Sequence, residues 1–207
     1  MKVTKGQKIA LFVVLFLVID QIIKFAVKLN MTMGESIPVF GNWFQIYFIE
    51  NNGMAFGMQW GGDFGKLALT LFRVGLIGFI IYYINKLIKK EDTPAGVLVG
   101  VSLVLIGAIG NVIDCLFYGI IFNDSTFSSV ASFLPEGGGY APFMFGRVVD
   151  MFYFPIINAR FPEWFPLWGG EEFIFFRPIF NFADACISVG VIYILLFQRK
   201  YFAALGK

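Results

Sequence analysis

The 207-residue chain contains no histidine. Zinc held by imidazole is therefore excluded, and so is every catalytic pair or triad that uses His as its base. Cysteine is nearly absent too. Cys115 and Cys186 both fall in long apolar runs, where a thiol behaves as a small hydrophobic group, so neither a disulfide nor a metal site is expected. Charge is scarce: 14% of residues are charged, against about 25% in an ordinary soluble domain. The sixteen Lys and Arg are scattered and the net charge is only +2, which removes the basic footprint that nucleic acid requires. No cofactor is indicated.

What is abundant is apolar and aromatic. Hydrophobic residues make up 58% of the chain and 27 residues are Phe, with a mean hydropathy of +0.76. A soluble enzyme is ruled out by that balance, and the reading is an all-α membrane protein in one integral domain spanning 1–207. Four stretches are long enough to cross about 30 Å of hydrocarbon: 9–29, 67–88, 95–117 and 179–197. The first follows Lys2, Lys5 and Lys8 as a signal peptide would, but no small-residue cleavage site follows it, so a retained helix is expected. Lys86, Lys89 and Lys90, then Arg199, Lys200 and Lys207, fall on the same side as the N-terminal lysines. The positive-inside rule places both termini in the cytoplasm.

The opposite, outer side then receives two long segments, 30–66 and 118–178. The first carries GNWFQIYFIENNGMAFGM, aromatic and β-branched residues around Asn and Gly turn signals, and the stretch from Ser36 to Met58 reads as short strands. The second holds LPEGGGYAPF and repeated Phe-Pro pairs, the marks of an extended loop folded as an irregular cap. A small β-containing layer on four helices is the expected architecture. Gly96 and Gly100 form a small-xxx-small pair suited to close helix contact.

An ionisable side chain inside a membrane helix costs about 2.5–3.5 kcal/mol on insertion scales, so each one asks for a reason. Asp20 and Lys24 are four apart on one helical face and can pair. Asp114 ends GNVID with Asn111 one turn earlier; Asp184 ends FNFAD with Asn181 in the same relation; Asp150 ends GRVVD beyond the glycine-rich segment. Three carboxylates at the outer ends of different segments can meet in one water-accessible pocket. Two of them close together share a proton and act as acid and base without His, Ser or metal. Spacing alone leaves three readings open: catalysis, helix capping with ion pairing, and a proton relay. A Ser–Lys pair from Ser102 and Lys24 has nothing that sets the two at one depth.

The runs IDQIIK (19–24), ENNGMAFG (50–57), GNVID (110–114), GRVVDMF (146–152) and FNFADACI (180–187) occur in the same order as in the lipoprotein signal peptidases, and the chain resembles that family. The resemblance implies an aspartic endopeptidase of the bacterial inner membrane, multi-pass and monomeric, with its active site near the periplasmic face. It would remove the signal peptide of a prolipoprotein just before the diacylglyceryl-modified Cys and would be inhibited by globomycin. The family's catalytic pair falls on Asp150 and Asp184. Asp20, Lys24, Asn51, Gly53, Asn111, Asp114 and Asn181 match supporting or substrate-contacting positions. The substrate's acyl chains would enter from membrane lipid. Two departures stand out: Cys115 replaces the family's usual Arg, with Arg147 the expected substitute cation, and the outer cap is enlarged. A catalytically altered homologue or a proton-handling membrane protein is the alternative.

Overall fold

The computed structural model describes residues 3–53 and 62–205. Residues 54–57 of the ENNGMAFG run, and the end of the strand reading at Met58, lie outside the described residues. Among the described residues, four helices are long and apolar enough to cross a membrane. The first, α1 (Lys5–Lys28), starts earlier than hydropathy suggested because Thr4 and Gln7 form a reciprocal capping box. The second, α2 (Gly62–Ile88), extends back through Asp63 and Lys66. Lys66 is buried, donating to Asn52 Oδ1 at 3.0 Å and to the Phe145 carbonyl at 2.6 Å, so its charge does not end the helix.

The third begins as α3 (Ala95–Ile113), passes through a π turn at Asp114–Tyr118 and closes with the short α4 (Gly119–Ile121). A π turn redirects backbone carbonyls. Those of Cys115 and Leu116, with that of Gly119 just beyond the turn, accept from the amides of Gly146, Met144 and Ala141, which fastens the glycine-rich loop to the helix end. The fourth span is α5 (Phe182–Tyr193), a second π turn (Ile194–Gln198) and α6 (Arg199–Leu205). It starts three residues later than hydropathy suggested, because Ile179 and Phe180 pair as a strand and Asn181 caps the helix.

The strands are β1 (Ser36–Phe40), β2 (Phe44–Asn51), β3 (Val148–Tyr153), β4 (Ile157–Arg160), β5 (Glu172–Phe175) and β6 (Ile179–Phe180). An antiparallel sheet has the order β1-β2-β3-β6, and β4 and β5 form a separate hairpin. Exposed β1 carries Pro38, as an edge strand tolerates. Central β3 buries Val148 to Met151. The end of α1, the start of α2, the end of α3 and the start of α5 all meet this sheet or its loops, so the sheet layer covers one end of an up-and-down bundle.

α3 is the central helix, with eleven of its nineteen residues buried. Its glycines permit that: a Cβ at Gly107 would run into the Ala183 carbonyl, and one at Gly110 would come within 2.7 Å of Asp20 Oδ2. Gly96 and Gly100 face Tyr193, Ile194 and Gln198, the close contact their spacing suggested. α1 is apolar outside and charged inside. Leu11, Val14, Leu15, Val18 and Ile22 are exposed, whereas three of its five buried residues are Asp20, Lys24 and Lys28.

Candidate active site

Lys24 stands at the centre of the buried charges. Its ammonium lies 3.1 Å from Asp20 Oδ2 and 2.9 Å from Asp114 Oδ2, and donates to Asn111 Oδ1 at 3.1 Å, so all three donors are engaged. Both carboxylates also accept from backbone amides and from Gln21. Asp20 Oδ1 accepts from the Ala183 amide at 3.0 Å, and Asp114 Oδ2 from the Val149 amide at 3.2 Å. Gln21 Nε2 donates to Asp20 Oδ2 at 3.0 Å and to Asp114 Oδ1 at 3.2 Å, while Tyr118 donates its hydroxyl to Gln21 Oε1 at 3.1 Å. Asp20 and Asp114 therefore bind the start of α5 and the strand β3 to α1 and α3.

Beside this cluster, two carboxylates are bridged by amides. Asn181 Nδ2 donates to Asp150 Oδ1 at 2.7 Å and to Asn111 Oδ1 at 3.0 Å, and Asn111 Nδ2 donates to Asp184 Oδ1 at 2.7 Å. Asp150 Oδ2 accepts from Asn51 Nδ2, whose own Oδ1 accepts the Gly53 amide at 2.5 Å. Local folding delivers each group. Asp150 lies on β3 opposite Ile49, and Asn181 is the N-cap of α5 in a capping box with Asp184. The capping reading of Asp184 and its place beside Asp150 are thus both met by one geometry.

Asp150 is 3% exposed. Burial, first, and the nearby Asp184 charge push its pKa up to about 7; Asp114 adds to the rise, while the Asn181 hydrogen bond and Lys24 oppose it. A carboxyl whose pKa lies near neutrality is suited both to giving and to taking a proton.

Arg147 is not brought to the aspartates. Its guanidinium pairs with Asp124 and with Glu50 Oε2 at 3.3 Å, and lies 4.2 Å from the Tyr140 ring centroid. Two carboxylates and an aromatic face hold it on the other side of β2. The cation that does approach Cys115 is Arg73 of α2, with Nη1 3.9 Å from the sulfur. Arg73 was legible by the cost argument already applied to the other charges, since it interrupts the apolar run 67–88. A second buried cluster, Lys28 with Glu50 and Ser125, gave no spacing signal because its members lie far apart in sequence.

A family model described as signal peptidase (SPase) II matches residues 12–199. A lipoprotein signal peptidase of Porphyromonas gingivalis is 50% identical over 195 residues, 94% of this chain and 84% of that protein. One of Amoebophilus asiaticus is 38% identical over 200 residues, 96% of this chain and 79% of that protein. A solved bacterial membrane enzyme superposes with a TM-score of 0.61 at 23% identity, covering 96% of this chain and 92% of that one; at that identity the likeness speaks for the fold.

Proposed function

Because this chain belongs to the signal peptidase II family, we propose that Asp150 and Asp184 are the catalytic pair with which it cleaves prolipoprotein signal peptides before the diacylglyceryl-modified Cys. The enzyme is an aspartic-type protease of lipoprotein processing. The observation that carries the residue assignment is the amide bridge: two carboxylates from β3 and α5, each oriented through the Asn111–Asn181 pair, beside two other aspartates already engaged by Lys24.

In this reading Asp150, the more buried partner, carries the shared proton and Asp184 is ionised. A water between them gives its proton to Asp184 as its oxygen attacks the scissile carbonyl, while Asp150 donates to the carbonyl oxygen. The tetrahedral intermediate collapses as the proton on Asp184 passes to the leaving nitrogen, and Asp150 takes back its own. Asn181 and Asn51 hold Asp150 in place, and Asn111 holds Asp184. The mechanism requires no metal ion.

Placement follows the charges. Lys5, Lys8, Lys86, Lys89, Lys90, Arg199 and Lys200 belong to the end of the bundle away from the sheet. That end is assigned to the cytoplasm of a bacterial inner membrane, and the sheet layer with the aspartates to the periplasmic face. The chain acts as a monomer, and the acyl chains of the substrate lie among membrane lipid between the helices. The test is purified protein in detergent with a diacylglyceryl-modified prolipoprotein. Wild type releases the signal peptide, while Asp150→Asn and Asp184→Asn do not; turnover by either folded variant removes the assignment.

A further inference from the structure

We propose that Arg73 is a positioning residue for the cleavage, its guanidinium clamping the backbone just after β2 so that Asn51 presents its amide to Asp150. The inference rests on the assignment of Asp150 as a catalytic carboxylate. Arg73 lies eleven residues into α2, about 16 Å along the helix axis, in the body of a spanning helix. A guanidinium at that depth is costly unless protein groups receive it. Two do: Nη2 donates to the Gly53 carbonyl, and Nη1 lies against Cys115, whose small thiol leaves the guanidinium room beside the π turn.

From Gly53 a chain of hydrogen bonds runs to the active site. The Gly53 amide donates to Asn51 Oδ1 at 2.5 Å, and Asn51 Nδ2 donates to Asp150 Oδ2. A side-chain amide has one acceptor end and one donor end. With its oxygen held by Gly53, Asn51 has only its NH2 to offer the carboxylate; turned around, it would set oxygen against oxygen. The clamp on Gly53 therefore selects the amide orientation that Asp150 needs. Gly53 fits this place in two respects: its φ of +82° is a left-handed conformation that favours glycine, and a Cβ there would fall 2.5 Å from Arg73 Nη1.

Cleavage of a diacylglyceryl-modified prolipoprotein by detergent-purified enzyme, measured against pH, tests this with Arg73→Ala, Asn51→Ala and the double variant. Asp184, Lys24 and Asp114, the charged groups that bear on Asp150, are unchanged in all three. Arg73→Ala is expected to lower kcat about tenfold with KM within about twofold, since the group positions a catalytic carboxylate and does not bind substrate. Its alkaline limb should move up by about one pH unit, as Asp150 loses a donor to its charged form. Asn51→Ala should do the same, and the double variant should be no worse than Asn51→Ala, because both act through one hydrogen-bonded chain.

Gly53→Ala, which pushes the guanidinium off from the other side, should move the limb in the same direction. If Arg73→Ala does not fold, Arg73→Met, which keeps the length of the side chain and removes every donor, supplies the same comparison. Wild-type kcat and limb in the Arg73 variant, or losses that multiply in the double variant, overturn the clamp. An inactive Asp150→Asn beside an unaffected Arg73→Ala overturns the clamp alone; an active Asp150→Asn overturns the catalytic assignment and the clamp with it.

Discussion

Lys24 is a single ammonium between two fully buried carboxylates, and removing it leaves both without a counter-charge. Breaking a buried ion pair from one side costs about 3–5 kcal/mol, so Lys24→Met is expected to lower the thermal unfolding midpoint sharply in detergent, with Asp114→Asn in the same chain restoring part of it. The amides around Asp150 act on chemistry instead. Asn181 donates to the ionised form of Asp150 and so opposes the rise to about 7. Asn181→Ala should raise that pKa further, and the alkaline limb of kcat/KM should move to higher pH. A limb that stays still or moves down would show that Asp150 does not govern it. Asp20, Lys24, Asn111, Asp114 and Asn181 were legible because polar residues in apolar runs announce themselves and helical spacing places them on one face. The expectation for Arg147 failed for want of such a rule: proximity in sequence to Asp150 says nothing of which way a loop residue turns, and Glu50 and Asp124 decided it.

At the scale of elements, α3 and α5 approach closely enough that glycine is required. Gly107→Ala would drive a methyl group into the Ala183 carbonyl, next to Asp184. Overpacking of this kind costs about 1–3 kcal/mol; thermal unfolding in detergent should show that loss together with reduced cleavage. Gly75→Ala in α2 is the matched control, since a Cβ there meets nothing within 4 Å and neither property should fall. Helix existence was plain from hydropathy, but helix ends were not. Asn181 ends β6 and begins α5 through side-chain hydrogen bonds, which an apolar window through Ile179 and Phe180 cannot register. The π turn at Asp114 was equally hidden, because its cause is a loop about thirty residues away whose amides reach the turned carbonyls. That turn sets Asp114 at the junction of α1, α3 and β3.

Across the whole molecule, the two proposed catalytic aspartates are brought together by strands, not by nearness in the chain. β3 and β6 pair through Phe152 with Phe180 and Tyr153 with Ile179, and residues 154–178 leave and return between those partners. Loop-closure entropy grows slowly, each doubling of length costing only about 0.6 kcal/mol. Replacing 154–178 by an Asn-Gly turn, which fits a two-residue hairpin, is therefore expected to leave cleavage of the lipidated substrate within about threefold of wild type; loss of activity in a folded variant would give the excursion a role in the reaction. The outer segment was legible as a length and as Phe-Pro repeats, but not as a detour, because strand pairing across 26 and 28 positions leaves no local signal. The paired residues make this point of the fold an open address. Chain can be added or withdrawn there while the spacing of the two carboxylates stays fixed, so the sheet layer of the enzyme is free to diversify between bacteria without renegotiating its chemistry.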